Sequence, residues 1–314
     1  MSRWLTVTSG MNDESARTSR GLFVGLSTID LAYVVADMPG RNSKITSSAQ
    51  ALAAGGPATN AAVTFAFLGG ASTVISAIGK HPLAAVIQRD LARFQVQVHD
   101  FAGQSEAAPA ISSILVLPGG DRTIVSANSN VFPTVDAPAD PSWFDGVSIV
   151  LVDGHHMSVC SKAAAMARSR GVDVVLDAGS WKEGMSALLQ DVNIALCSSN
   201  FRPPGCSTDS DVIAFLRKQG IEKGAITQGE KPVLYFDGNR LGKVPVEPTI
   251  AKDTTGAGDI FHGAFCYYFS RPGTTFVEAL KSAANVATFS TRFVGTRRWM
   301  EAYAKHGGSA DRPS

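Results

Sequence analysis

Between residues 147 and 229, strand-length apolar runs alternate with helix-length amphipathic segments, and this rhythm restricts the fold more than any other feature. VSIVLVD, VDVVLD, NIALCSS and GAITQG read as strands, with helices expected over 159–170, 181–188 and 209–219 between them. Strands that alternate with helices make a parallel sheet covered on both faces. Upstream, 21–27 and 72–77 read as two more buried strands and 83–94 as an amphipathic helix. Downstream, VLYFDG and RLGKVPV pair as a hairpin, and helices over roughly 257–271 and 275–292 close the chain. The expectation is an α/β three-layer sandwich with a mostly parallel central sheet.

Two stretches break the rhythm. Residues 31–50 and 96–127 are extended, the second stretch alternates and carries β-branched residues, and ISSILVL and RTIVSA flank a Gly119-Gly120-Asp121 turn as in a hairpin. They are expected to form a small β lid over one end of the main sheet, within a domain spanning 21–300. Residues 1–20 are polar, without the apolar centre of a signal peptide, and read with 301–314 as terminal tails. Met11 is a second possible start.

Composition removes several classes of function. The chain is 45% hydrophobic and 18% charged with a net charge of +1, so no global field draws it to nucleic acid or membrane. No apolar run is long enough to span a bilayer. Cys160, Cys197, Cys206 and Cys266 form no CxxC pair and have no histidine cluster beside them, which argues against zinc. Cys160 and Cys197 lie in or beside apolar runs, as buried thiols of a cytoplasmic protein do. A small-molecule substrate fits this neutral chain.

In open α/β sheets ligands bind beyond the carboxyl ends of the strands. Asp30, the loop Gly55–Asn60 and the run Asp253–Asp259 (DTTGAGD) fall at such ends. In the last, the small residues Gly256, Ala257 and Gly258 precede a long apolar helix. Backbone N–H groups at such a helix start can approach an anion closely, and the helix dipole adds positive charge. A carboxylate there, Asp259, either favours the dipole or takes a proton from an attacking hydroxyl. The second role is what phosphoryl transfer requires.

DTTGAGDIFHGAF resembles the second signature of the ribokinase/PfkB carbohydrate kinase family, and GGPATNAAVTFAFLGG resembles its first, about 200 residues upstream. The resemblance runs from Gly21 to about Val294 and implies a ribokinase-like sandwich, ATP with Mg²⁺, and phosphorylation of a sugar hydroxyl. It makes Asp259 the catalytic base and the 256–258 backbone the anion hole. Asp253 falls near the phosphates and their cation. Asp30, Gly55, Gly56 and Asn60 match the sugar site. Thr227, Gly229 and Asn200 match nucleotide-binding positions, and the helix around 284–288 is expected to flank the adenine. The β lid implies a homodimer. Departures exist. Asn200 is followed by Phe201, Arg202 and Pro203, so the family's Asn-x-x-Glu glutamate is missing and no metal ligand is assigned. Pro232 stands where glycine is usual, and Lys80-His81-Pro82 replaces an acidic stretch.

Asp153-Gly154, residues 198–200 and Arg122 look most like ketohexokinases and sulfofructose kinases, which favours a ketohexose acceptor. A nucleoside kinase of adenosine type and an inactive member serving as a binding or scaffold protein are the alternatives. A dinucleotide-binding dehydrogenase lacks GxGxxG after the first strand. His155 and His156 read either as surface loop histidines or as groups reaching substrate. Asp177 reads as a loop cap or as part of the site. His262 is expected to pack, and Arg297-Arg298 to be a solvated pair.

Overall fold

A computed structural model describes residues 19–128, 132, 137 and 139–305. Two sheets organise it. The larger has nine strands in the order β13-β12-β11-β10-β9-β8-β1-β4-β5. These are β1 (Arg20–Val24), β4 (Ala71–Ser76), β5 (Gln97–Asp100), β8 (Ile149–Val152), β9 (Asp173–Ala178), β10 (Ile194–Ser198), β11 (Lys223–Gln228), β12 (Lys231–Asp237) and β13 (Arg240–Val244). All pairings from β5 to β11 are parallel, and β12 and β13 add an antiparallel edge.

Alternation along the central strands divides the interior in two. Phe23, Leu151, Val175 and Leu196 point to one core, where they meet α1 (Pro57–Phe67), α6 (Ala257–Phe269) and α7 (Phe276–Ser290). Leu22, Val24, Val150, Val152 and Leu176 point to the other, under α3 (Met157–Ser169), α4 (Met185–Leu188) and α5 (Asp209–Lys218). Both faces are buried, which is why these strands read as continuous apolar runs. Helix α2 (Ala84–Arg93) lies beside the first core. Capping boxes, Thr208 with Asp211 and Thr275 with Glu278, fix the starts of α5 and α7.

The small sheet has the order β3-β2-β6-β7, from β2 (Thr28–Val34), β3 (Ala49–Gly55), β6 (Ala110–Val116) and β7 (Arg122–Ser126). It is the expected lid, antiparallel apart from the β2–β6 pair. The stretch 96–127 divides between the sheets, because β5 joins the large one beside β4. The two terminal expectations also shift. Arg20 opens β1, while residues 1–18 lie outside the described residues. The C-terminal segment from 301 is partly helical, since α8 (Arg298–Lys305) packs Trp299 and Met300 into the first core, and 306–314 are outside the described residues. The α4 helix covers only the end of the expected 181–188 segment. Among the described residues no helix is long and apolar enough to cross a membrane. Cys160, Cys197 and Cys266 are buried free thiols.

Helices α1 and α6 bring the two glycine-rich stretches together. Their contact is unusually close at Gly263, where an added Cβ would stand 2.3 Å from the Ala61 carbonyl oxygen. Replacing a mid-helix glycine by alanine ordinarily stabilises by about 0.5–1 kcal/mol. Here overpacking reverses the sign, and Gly263→Ala should lose about 1–3 kcal/mol. Urea unfolding of the two proteins measures it, and a stabilised Gly263→Ala would contradict this account of the helix contact.

Candidate active site

The site lies at the carboxyl edge of the large sheet, below the lid. Helix α1 leaves the glycine loop with Gly56 at φ 94° and Pro57 in its first turn. Gly55 has no room for a side chain, because a Cβ there would meet the Asp30 carboxylate at about 2.0 Å. Asp30 thus lies against the loop's backbone. It accepts a hydrogen bond from the Thr28 hydroxyl at 2.6 Å. Burial raises its pKa, against the opposing effects of Thr28, Arg297 and Ser112.

Helix α6 begins at Gly256, whose φ of 67° is left-handed and suits glycine. The Ala257 N–H turns back to the Thr254 carbonyl at 3.3 Å, and the first helical bond runs from Ile260 N to Gly256 O. The N–H groups of Gly256, Gly258 and Asp259 have no protein acceptor among the described residues. Beside Gly258 an added Cβ would meet nothing within 4 Å. The helix start therefore leaves the N–H groups of Gly256, Gly258 and Asp259 unpaired while that of Ala257 is engaged, with open space beside Gly258.

Asp259 is half-buried and accepts a hydrogen bond from Asn60 Nδ2 at 2.8 Å, across 199 positions of sequence. Asn60 is buried, and its Oδ1 accepts from Arg297 Nη1 at 2.9 Å. Each polar end of its amide is engaged, so one N–H remains for a ligand. Behind Asp259 lies a second acid. Asp177, at the end of β9, stands 2.8 Å from His262 Nδ1, and both side chains are buried. Burial opposes charge on His262, but the Asp177 carboxylate outweighs it and raises the imidazole pKa. Burial pushes the Asp259 carboxyl up to about 7, Asp177 adds to the rise, and the Asn60 hydrogen bond opposes it. A carboxyl poised near neutrality can accept a proton from a hydroxyl and release it again.

The remaining expected residues divide into shaping and exposed groups. Asp253 is buried, and its two carboxylate oxygens accept the N–H groups of Thr255 at 2.8 Å and Gly295 at 2.7 Å, which fixes the loop before α6. Thr227 and Ser198 are paired at the ends of β11 and β10, with the Thr227 hydroxyl on the Cys197 carbonyl at 3.3 Å. Asn200 is exposed just beyond, its N–H on Ser198 Oγ, and Gly229 opens the turn to β12. These groups share the sheet edge with Asp259 but lie on strands farther along it.

The packing overturns one expectation and gives several other residues their partners. Arg297 is no solvated partner of Arg298: only 11% of its side-chain surface is exposed, and it binds Asp90 at 3.2 Å, the Ala54 carbonyl at 2.7 Å and Asn60. No local signal separates it from the exposed Arg298. Asp153 is buried and holds the N–H groups of Leu26, Ala58 and His155 at 2.8, 3.2 and 2.8 Å. His156 packs edge-on to Phe101 at 5.1 Å between ring centroids. Arg122 donates to the Thr254 hydroxyl, which donates to the Gly120 carbonyl at 2.9 Å, so the lid hairpin touches the loop before α6. Among the described residues no group of three or more His, Cys, Asp or Glu is placed to hold a metal ion.

Comparison with known proteins agrees with this architecture. Residues 20–302 match the pfkB family carbohydrate kinase pattern. The chain is 23% identical over 292 residues to a deoxyribokinase of Salmonella typhi, covering 87% of this chain and 93% of that one. It is 23% identical over 288 residues to the ribokinase of Mus musculus, covering 87% and 89%. A ribokinase structure from Thermotoga maritima superposes with a TM-score of 0.74 at 18% identity, over 92% of this chain and 99% of that one.

The electrostatics of Asp259 can be tested without any substrate. Its native pKa of about 7 lies above the ordinary 3.8. Stability contributed by this group is therefore full below the unfolded value and lost as pH rises through the native one. Asp259→Asn keeps the uncharged shape, so its stability advantage over the parent should grow between pH 4 and pH 8. Urea unfolding at both values reads it, and an advantage equal at both, or larger at pH 4, contradicts the assignment.

Proposed function

The chain belongs to the pfkB family of carbohydrate kinases, and we propose that it transfers the γ-phosphoryl group of ATP to a hydroxyl of a small sugar. It is a phosphotransferase by family. The observation that carries the finer reading is the pairing of an open helix start with a carboxyl poised beside it, the N–H groups of Gly256, Gly258 and Asp259 next to an Asp259 side chain held by Asn60.

In this reading Asp259 takes the proton of the acceptor hydroxyl as its oxygen bonds to the γ-phosphorus. The bond from that phosphorus to the β–γ bridging oxygen breaks, and ADP leaves with the electron pair. The α6 N–H groups face the phosphoryl oxygens, where preorganised donors and the helix dipole stabilise developing charge. Asp30 accepts sugar hydroxyls, and the free N–H of Asn60 gives the acceptor one donor. Thr227, Gly229 and Asn200 hold the nucleotide, and the 284–288 stretch of α7 lies by the adenine. ATP supplies the phosphoryl group. Mg²⁺ commonly binds through substrate phosphates and one or two carboxylates. Pro203 stands where the family's glutamate would be, and no step here passes through the cation.

A ketohexose acceptor keeps fewer free side chains to recognise it. Two of the features that suggested it, Asp153 and Arg122, are engaged with backbone N–H groups and with Thr254. The relatives are divided: besides the deoxyribokinase and ribokinase, a probable fructokinase-5 of Arabidopsis thaliana is 24% identical over 246 residues. A panel of D-ribose, 2-deoxy-D-ribose, D-fructose and adenosine, with ATP, separates the classes. Turnover should appear with a sugar and fall about 10²–10⁴-fold in Asp259→Asn, the range for a general base. No turnover with any sugar, or an undiminished Asp259→Asn, would defeat the reading.

The lid also supports a second copy of the chain as partner. Leu31, Leu52, Ile111 and Val125 share one of its faces by register, and Leu52, Ile111 and Val125 are 55%, 40% and 72% exposed. Asp30 and Ser112 occupy the opposite face. An apolar sheet face of this kind is a natural association surface. Light scattering should give a dimer that Val125→Lys weakens. A monomeric parent at tens of micromolar would exclude the lid-mediated dimer.

A further inference from the structure

Arg297 stands where three tasks meet. Its Nε donates to Asp90 Oδ2 at 3.2 Å, Nη2 to the Ala54 carbonyl at 2.7 Å and Nη1 to Asn60 Oδ1 at 2.9 Å. The same Asp90 oxygen accepts the Ala54 N–H at 3.1 Å. The ion pair thus grips both backbone polar groups of the residue before Gly55-Gly56. Nη1 also reaches Thr296 Oγ1 at 3.0 Å and its carbonyl at 3.3 Å, and the guanidinium lies over the Phe94 ring at 5.7 Å.

A side-chain amide is nearly symmetric in shape, and its neighbours decide which end is oxygen. A guanidinium has only donors, so it demands Oδ1 of Asn60. That leaves Nδ2 to face Asp259, at 2.8 Å. The planar fork of arginine can make these contacts at once, which a lysine ammonium cannot.

We propose that Arg297 is a positioning residue for phosphoryl transfer, fixing the Asn60 amide against Asp259 and, with Asp90, clamping Ala54 so that base and acceptor loop share one frame. The proposal rests on Asp259 being the base. The groups facing Asp259 are Asn60 from α1, Asp177 from β9, His262 from α6, Asp30 from β2 and Arg297 from the segment before α8. Without Arg297 the Asn60 amide is free to turn its oxygen towards the carboxylate, and a nearby positive charge is gone. Both changes favour the protonated acid.

Carbon-13 NMR of protein labelled at aspartate Cγ tests this directly, with the Asp259 signal assigned by its loss in Asp259→Asn. In Arg297→Met the Asp259 titration midpoint should rise by about half a unit or more. In Arg297→Lys it should rise by less. With ATP and the panel sugar that the parent uses fastest, kcat should fall about tenfold or more while the KM for ATP stays within about twofold. An unmoved midpoint overturns the proposal, as does a fall in kcat that only follows the melting temperature. Should Arg297→Met fail to fold, the double variant Asp90→Asn/Arg297→Met leaves neither charge unpartnered and carries the same test. Full turnover by Asp259→Asn would remove the base assignment, whereas an unmoved midpoint removes the role of Arg297 alone.

Discussion

One continuous polar chain, from Asp90 through Arg297 and Asn60 to Asp259, ties the elements that aim the Asp259 carboxyl. Its members come from α2, the segment before α8, α1 and α6, which the sequence keeps far apart. A chain of this kind is demanding inside a protein, since each group that loses its partner bears the full desolvation penalty. Satisfied throughout, it tells each element where the others must stand. The apolar cores on either side of the sheet supply bulk stability, but apolar contacts are non-directional and could not aim a carboxylate.

The second electrostatic feature is crowding of acids. Asp177 and Asp259 lie close enough for one to raise the other's proton affinity, and Asp30 adds to the effect. His262 partly relieves this, as its imidazole sits against Asp177. Asp259 is therefore under two opposed influences, negative charge and low polarity behind it and the Asn60 donor beside it. A carboxyl held in that balance can both take up a proton and release it near neutral pH.

Sequence alone revealed most of the architecture because period and punctuation encode it. Strand-length apolar runs alternating with helices marked the parallel sheet, and the two glycine-rich stretches marked the ends of α1 and α6. The division of 96–127 between two sheets was hidden, because nothing in the residues of β5 (QVHD) or β6 (AISSILV) names the strand each one joins. Asp259 and Asn60 were legible through their motifs. Arg297 was not, because its importance comes from what surrounds it in space; its neighbour Arg298 has the same chemistry and faces solvent. Asp153 and Asp253 were recognised as strand-end or loop acids, but that their oxygens would be occupied by backbone N–H groups depends on loop conformations that no local pattern specifies.

Gly263 carries a meaning beyond packing. Ala61, whose carbonyl it meets, follows Asn60 directly, and Gly263 lies about one helical turn after Asp259. The spacing of the two helix axes, and with it the reach of Asn60 to the carboxylate, is thus gauged about one helical turn away from the carboxylate itself. The missing side chain works as a shim does in an instrument: it does nothing itself, yet its thickness sets the alignment of the moving parts. A survey scoring Gly263 by burial alone would file it with the core, although its tolerance is set by the contact between Asn60 and Asp259.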